Sequence, residues 1–283
     1  MKLSPDKPSI AEDQEFREVL SDFFRKQRAY INQNKEGDPP YKMEAGKGCS
    51  QIIDCGGYHG LGTTKVVIDI LTEMYRFPED YGLRLIVFEA DHKNYLQCRK
   101  NTSGHKWVRR IHGSTVDIER ALRFLDMDEM LRNPERYPDI YYDCEDPVPF
   151  YKKEVQGALF GGEKPPRNDA LKHQFKVLNI GNPYTFVRID RLACPLFLMD
   201  SCGGTGWLEY QTIMELMGEH KYYIWFRNID HVKHYRTYLD VTKPGNDMWK
   251  IIHEKKGEWV FAKTKYVNKI KKKKKRRRLM PVE

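Results

Sequence analysis

The stretch that decides the fold is a glycine-rich loop that reads Asp54-Cys55-Gly56-Gly57-Tyr58-His59-Gly60-Leu61-Gly62-Thr63. A short apolar run at residues 51–53 precedes it, and apolar residues recur at helical spacing over residues 63–75. Glycines between a strand and a helix allow the backbone to approach a ligand closely. We therefore expect a strand, a ligand-binding loop and a helix in this order.

The rest of the chain repeats this alternation of short apolar runs with helical patterns. Strand candidates occupy residues 83–88, 107–112, 196–200 and 222–226, and helical patterns occupy residues 94–101, 117–131 and 207–217. Residues 250–252 and 258–262 are typical of a closing hairpin. Strands that alternate with helices indicate an α/β fold with a mostly parallel sheet.

Two segments lie outside this alternation. Residues 9–32 carry an apolar stripe near the 3.6-residue period and precede a breaker stretch at 34–40, so we interpret residues 1–45 as an N-terminal helical cap. Residues 133–185 are rich in Pro, Gly, Tyr and charge, and we interpret them as a central insertion with short strands. The main domain then extends over residues 46–265.

The net charge of +9 comes from the end of the chain. Nine Lys and Arg residues lie between positions 269 and 278, whereas residues 1–268 carry 40 basic and 39 acidic groups. We predict a near-neutral body and a disordered polybasic tail over residues 266–283, which excludes a protein coated for nucleic acid over its whole surface. For the tail, four roles stay open: a nuclear localisation signal, contact with nucleic acid, attraction to an anionic membrane, or a solubilising terminus.

The remaining composition is typical of a folded intracellular protein. Apolar residues make up 40% and aromatic residues 12% of the chain, which favours a packed core. No apolar run approaches the ~20 residues of a transmembrane helix, and the first residues lack the apolar core of a secretion signal. Six scattered cysteines without a CxxC pair indicate reduced thiols. We expect a cytoplasmic protein, or a nuclear one if the tail is a localisation signal.

Three kinds of ligand suit a glycine-rich loop, and its details separate them. A phosphate-binding loop requires a lysine where Thr63 stands, and no alignment of this loop gives the GxGxxG of a dinucleotide fold. Asp54 at the strand end, followed by Gly56 and Gly60, fits the loop of an S-adenosylmethionine methyltransferase. This cofactor carries an ammonium and a sulfonium, so an adjacent acid is appropriate. Glu89, after the second strand, can accept hydrogen bonds from the ribose hydroxyls.

Together with Val-Phe-Glu-Ala-Asp-His-Lys-Asn-Tyr at residues 87–95, the loop resembles class I S-adenosylmethionine-dependent methyltransferases and is most similar to the FkbM type. The resemblance covers residues 50–215. It implies a Rossmann-like sheet of the class I methyltransferase type, S-adenosylmethionine as cofactor and methyl transfer as the reaction. The candidate cofactor-binding residues are Asp54, Gly56, Gly57, Tyr58, Gly60, Glu89 and Asp117. Tyr58 would contact the tail of the cofactor, with a packing role as an equal alternative. Asp117 would lie near the adenine, although a role in capping the following helix is an alternative.

The third motif of the family is matched less well. Residues 196–203 read Leu-Phe-Leu-Met-Asp-Ser-Cys-Gly, and the upstream residues 189–192 read Ile-Asp-Arg-Leu. Leu198 stands where the family carries a lysine, and Cys202 falls in the turn where the family carries a glutamate. The resemblance therefore implies the cofactor and the reaction class better than the methyl acceptor.

Asp200, His231 and His234 are the candidates for catalysis, because they follow strands at the edge where the cofactor would lie. Asp200 can orient the acceptor or take its proton, or it can cap the following turn. A histidine at the carboxyl end of a strand suits a base at neutral pH, and the alternative is a structural histidine in a polar loop. Asp200, Asp230 and His231 could also hold a divalent ion, but the sequence indicates no metal site.

The sequence thus predicts a methyltransferase that methylates a hydroxyl of a sugar, a glycan or a related small molecule. Two alternatives stay open: an RNA methyltransferase whose tail and insertion grip the phosphates, and a degenerate, non-catalytic module that retains the fold to bind partners. An RNA enzyme should show a basic groove beside the cofactor pocket. The near-neutral body argues against such a groove.

Overall fold

A computed structural model describes residues 1–5, 9–33, 51–81, 83–160, 162–174, 194–200, 203–218 and 220–265. Its central feature is a sheet of seven strands. The first of these strands along the chain lies inside the sheet, and later strands extend the sheet to its two edges. The predicted element at residues 189–192, the turn that contains Cys202, and the polybasic tail lie outside the described residues.

The strands and helices alternate along most of the chain. The strands are β1 (Lys2–Leu3), β2 (Gln51–Cys55), β3 (Arg84–Glu89), β4 (Val108–His112), β5 (Tyr141–Tyr142), β6 (Leu196–Met199), β7 (Tyr223–Arg227), β8 (Trp249–Lys255) and β9 (Trp259–Thr264). The helices are α1 (Gln14–Gln33), α2 (Thr63–Met74), α3 (His92–Asn101), α4 (Ile118–Met127), α5 (Glu129–Arg132), α6 (Pro147–Phe160), α7 (Gly206–Met217) and α8 (Tyr235–Thr242).

The order of strands in the large sheet is β4-β3-β2-β6-β7-β9-β8. The first five are parallel to one another, and β9 runs antiparallel to both of its neighbours. From β2 the chain builds outward to β4 on one side and then, from β6, outward on the other, so the strand order reverses between β2 and β6. This confirms the predicted fold class, an α/β fold with a Rossmann-like, mostly parallel sheet, with the closing hairpin at one edge.

Helices cover both faces of the sheet, which explains why its strands are apolar runs. Within β3, Leu85 and Val87 face one core while Ile86 and Phe88 face the other, as the two-residue period of a strand requires. The first core also contains α2 and four aromatic and aliphatic residues of α1: Phe16, Leu20, Phe23 and Phe24. The N-terminal helical cap is therefore packed directly against the sheet.

The central insertion differs from its prediction. Its only described strand, β5, has two residues and pairs in parallel with β1 at the start of the chain. The main element is instead the 14-residue helix α6. The sequence obscures this helix because Pro147 and Pro149 stand in its first turn, where proline is tolerated and yet is easily taken for a helix breaker. Tyr151 of α6 then packs against a small cluster that includes Leu125 and Tyr142.

Truncation of Phe16 tests whether α1 belongs to the core. Its side chain is 1% exposed, and its ring lies 4.5 Å from that of Trp225 and 6.0 Å from that of Trp259. We expect Phe16→Ala to lower the free energy of unfolding by about 3–5 kcal/mol, because it leaves a cavity. The matched control is Phe77→Ala, since Phe77 is 50% exposed. Equal urea midpoints for the two variants would contradict the packing of α1.

Candidate functional site

A cavity of about 820 Å³ opens at the carboxyl ends of the parallel strands. This edge is where the reversal of strand order creates a crevice in open α/β sheets. Its lining comes from the glycine loop, the strand ends, α3, α4, α6, the turn before α7 and the N-terminal segment: Ser9, Ile10, Gly56, Gly57, Tyr58, Gly62, Thr63, Phe88, Glu89, Ala90, Asp91, Asn94, Gly113, Ser114, Thr115, Val116, Ile118, Ala121, Glu154, Val155, Gly157, Ala158, Asp200, Thr205 and Arg227.

The glycine loop is held against the end of β3 by its own backbone. The N–H groups of Gly56 and Gly57 both donate to the carbonyl oxygen of Phe88, at 3.1 and 2.9 Å. Gly56 has φ 121°, which favours glycine. A Cβ on Gly57 would lie 2.1 Å from Cγ1 of Val87. The two glycines are therefore needed for different reasons, one for its backbone angle and the other for close packing.

Tyr58 follows in a conformation that is uncommon for its residue type. Its φ is 45°, and its side chain is 61% exposed at the cavity, with the ring stacked on His59 at 3.9 Å. Its N–H donates to Oε2 of Glu89 at 2.7 Å. Left-handed backbone in a non-glycine residue persists where the surroundings enforce it, often at ligand sites. Here the carboxylate of Glu89 and the neighbouring glycines enforce it.

Glu89 is the link between the glycine loop and α3. Besides Tyr58, it accepts a hydrogen bond from the N–H of Asp91 to Oε1 at 2.8 Å, and Asp91 in turn caps α3 through Asn94. Burial raises the pKa of Glu89, and the backbone N–H donors offset part of that rise. A carboxylate has about four lone-pair sites, so Glu89 retains acceptor capacity where it lines the cavity.

Asp54 lies beneath the loop and is not part of the cavity lining. It is fully buried and accepts hydrogen bonds from the hydroxyls of Thr63 and Thr64 at the start of α2. Burial raises its pKa to about 7; the two hydroxyls oppose this rise, and the charges of Asp200 and Glu89 add to it. The carboxylates of Asp200 and Glu89 are thus close enough to disfavour the ionised form of Asp54.

Asp117 caps α4. It accepts from the N–H of Arg120 at 2.7 Å and from the side-chain amide of Asn168 at 2.9 Å. Its neighbours Ser114 to Val116 line the cavity, whereas Asp117 does not. The geometry therefore matches the capping alternative more closely than a ligand contact.

Asp200 lines the cavity at the end of β6. Two cations lie beside it: Arg227 is the last residue of β7, and Lys233 belongs to the loop that follows β7. Lys233 Nζ donates to Asp200 Oδ1 at 2.9 Å, and Arg227 Nη1 lies 3.9 Å from Oδ2. The side chain of Lys233 is 8% exposed, which is unusual for a lysine unless it is paired. The sequence drew attention to the right loop, but to its histidines and not to this lysine.

The two predicted histidines, His231 and His234, are buried and do not line the cavity. His231 accepts at Nδ1 from the N–H of Lys233 at 3.1 Å, and its Nε2 lies 3.2 Å from Asp143 Oδ1. His234 is fully buried against Phe226, and burial lowers its pKa well below the usual range. A histidine held neutral and away from the cavity is poorly placed to take a proton from a bound acceptor.

One wall of the cavity comes from α6, through Glu154, Val155, Gly157 and Ala158. The sequence did not predict this contribution, because the insertion has no clear family match and its helix begins with two prolines.

The polar residues of the turn before α4 were missed for a different reason. Ser114 and Thr115 are small side chains without a diagnostic spacing.

Within the described ranges, no group of three or more His, Cys, Asp and Glu side chains is arranged to hold a metal ion. Asp200 is paired with Lys233, so its carboxylate is already neutralised by a cation of the chain.

Among the residues that the structure describes, no helix combines the length and the apolar character that a membrane crossing needs.

Comparison with known proteins gives remote likeness to solved structures only. No protein-family model matches the chain, and no curated protein matches it. The chain is similar to a structure of a fibrillarin/Nop5p complex (TM-score 0.36, 7% identity, covering 86% of this chain and 83% of the other). It is also similar to an rRNA methylase from Streptococcus thermophilus (TM-score 0.33, 8% identity, covering 81% of this chain and 92% of the other). A third similar structure is a delta-N METTL16 methyltransferase domain (TM-score 0.35, 10% identity, covering 93% of this chain and 89% of the other). All three TM-scores lie below 0.5, and the FkbM-type resemblance stays a prediction.

The raised pKa of Asp54 predicts a pH dependence of stability. Because the folded state keeps this proton up to about pH 7 and the unfolded state loses it near pH 4, stability falls as pH rises through this window. Asp54→Asn lacks the titrating group. Between pH 5 and 7, we therefore expect its free energy of unfolding to rise relative to that of the native protein by up to about 1.4 kcal/mol per pH unit. Urea unfolding at several pH values measures this difference.

A second variant sharpens the same test. Thr64→Val removes a hydroxyl that lowers the pKa of Asp54, so the fall in stability should extend to higher pH. Parallel stability curves for the native protein and Asp54→Asn would show that Asp54 does not titrate in this window.

Proposed function

We propose that the chain is an S-adenosylmethionine-dependent methyltransferase. The observation that carries the proposal is that Glu89 and Asp200 line one cavity, next to the buried Asp54, and that their charges raise the pKa of Asp54. A ligand with distributed positive charge relieves this repulsion. S-adenosylmethionine has an ammonium and a sulfonium, so its charge suits the site.

The residues available to hold this cofactor are those around the glycine loop. The backbone of Gly56, Gly57 and Gly60 would let it approach closely, and Glu89 would accept hydrogen bonds from ribose hydroxyls. Tyr58 offers an exposed ring at the same edge. Asp54 would act through its charge and by fixing the start of α2, because it does not line the cavity. When bound, the cofactor supplies an activated methyl group.

We propose Asp200 as the residue that orients the acceptor and takes its proton. It lies in the cavity on the opposite side of β2 from Glu89, and Lys233 Nζ donates a hydrogen bond to its Oδ1 at 2.9 Å. A positioned general base typically contributes 10²–10⁴-fold to a rate. The earlier candidates His231 and His234 are less favoured because neither lines the cavity.

The acceptor that suits this cavity is a neutral, hydroxyl-bearing molecule such as a sugar or glycan. Four acids line the cavity, Glu89, Asp91, Glu154 and Asp200, against one cation, Arg227. An acidic lining favours a cationic cofactor and repels a phosphate-rich polymer. We therefore retain RNA methylation and a non-catalytic role as alternatives, together with a cytoplasmic or nuclear location.

Binding of the cofactor is tested by calorimetry with S-adenosylmethionine and S-adenosylhomocysteine. We expect both to bind, and Glu89→Gln to weaken binding at least tenfold, because it removes a charge from the cavity and an acceptor of the ribose. The control is Glu73→Gln on the exposed face of α2, where Glu73 pairs with Arg17. Absence of binding at millimolar ligand would refute the proposal.

Catalysis is tested by transfer of a labelled methyl group to extracts of glycans, RNA and protein. We expect Asp200→Asn and Lys233→Met to lower the rate at least about a hundredfold, a larger decrease than that in the affinity for S-adenosylhomocysteine. Lys65→Met is the control, since Lys65 is an exposed lysine paired with Asp69. Cofactor binding without transfer to any acceptor would favour the non-catalytic module, and labelling of RNA alone would favour the RNA enzyme.

A further inference from the structure

A second concavity lies at the amino ends of the strands, away from the cavity already described. It has a volume of about 650 Å³ and is bordered by β3, β4, and one side of α3. Four exposed cationic side chains line it: Arg84, Arg99, Lys106 and Arg109. We call it the basic groove.

Few negative charges lie near the cations of the basic groove. Glu79 is the one carboxylate in its lining, and within the described residues none of the four cations forms an ion pair. Arg110, at the floor, donates to Thr102 Oγ1 at 2.7 Å and to the carbonyl oxygen of His105 at 3.2 Å. Burial lowers the pKa of Arg110, and the charge of Arg99 lowers it further. Like charges are thus gathered in one place in a chain body that is nearly neutral.

Protection of a sheet edge does not explain this arrangement. β4 is an edge strand of the large sheet, and charged side chains on edge strands discourage pairing with other chains. That role requires charge on β4 itself, as at Arg109. Arg84 begins β3, one strand further in, and Arg99 belongs to α3. The four cations come from β3, α3, β4 and the loop before β4, and what they share is the groove.

We propose that the basic groove binds the phosphodiester backbone of a single-stranded nucleic acid. Three of the four cations are arginines, whose planar guanidinium matches phosphate oxygens with two hydrogen bonds. The site is concave, which suits an extended chain of phosphates better than the flat surface of a membrane. The nine cations between positions 269 and 278 would add attraction to the same polymer.

This site is independent of the proposed methyl transfer. The groove lies at the amino ends of β3 and β4, whereas the cavity lies at the carboxyl ends of the strands. It would anchor the protein to nucleic acid whether or not that nucleic acid is methylated. Removal of the groove's charge should therefore leave the affinity for S-adenosylhomocysteine unchanged.

The test compares two full-length variants with the same change in net charge. One carries Arg84→Glu, Arg99→Glu, Lys106→Glu and Arg109→Glu. The control carries Lys153→Glu, Lys243→Glu, Lys250→Glu and Lys256→Glu, which are exposed cations outside the groove. Binding of a fluorescent uridine oligonucleotide is measured by anisotropy over a range of salt concentrations.

We expect the affinity of the groove variant to fall at least tenfold and that of the control less than threefold. The slope of log affinity against log salt should also fall by about 0.7 for each phosphate that the variant no longer neutralises. A thymidine oligonucleotide should behave alike, because the groove binds phosphates and not bases. Equal decreases in both variants would overturn the proposal, since net charge alone would then explain binding.

Two further measurements distinguish nucleic acid from lipid and cover a groove variant that does not fold. If the groove variant no longer binds phosphatidylserine vesicles but still binds the oligonucleotide, the groove recognises lipid and the proposal is wrong. If the groove variant does not fold, photocross-linking of the native protein to a thiouridine oligonucleotide replaces it. Cross-links within residues 84–110 would support the proposal, and cross-links confined to residues 266–283 would overturn it.

Discussion

The candidate site depends on the contact between the glycine loop and the end of β3. Three successive N–H groups of the loop reach across one strand spacing, two to the carbonyl oxygen of Phe88 and one to the carboxylate of Glu89. Buried N–H groups need such partners, and the loop finds them only by lying flat against the neighbouring strand. This contact requires a residue without a side chain at position 57. It also turns Tyr58 outward and leaves Asp54 enclosed below.

Charge is distributed in the protein according to position along the strands. Carboxylates gather where the parallel strands end, and arginines gather where β3 and β4 begin. The formal net charge of +9 conceals this separation, because most of that excess belongs to the end of the chain. An acidic cavity and a basic groove on one small body can attract ligands of opposite charge without competition between them.

The sequence predicted those parts of the molecule that depend on local pattern. The glycine loop, the acid that ends β3 and the alternation of strands with helices were all visible, since each has a fixed spacing. The insertion was not, because α6 begins with two prolines and its helical pattern is short. The choice among candidate catalytic residues was limited by another factor. His231 and His234 were chosen because of their chemistry near neutral pH. A single sequence does not reveal that both are buried outside the cavity lining, or that Lys233 of the same loop contacts Asp200.

The two-residue strand β5 has a consequence for how the cavity is completed. On one side it pairs with Lys2 and Leu3, and on the other Tyr141 exchanges hydrogen bonds with Asp230 and Val232. Three regions that are far apart along the chain therefore meet at a single short strand. Contacts of such large sequence separation form slowly. During synthesis, the contacts of Tyr141 with residues 230 and 232 can therefore form only after all five parallel strands of the large sheet have been made, but before β8 and β9 complete it.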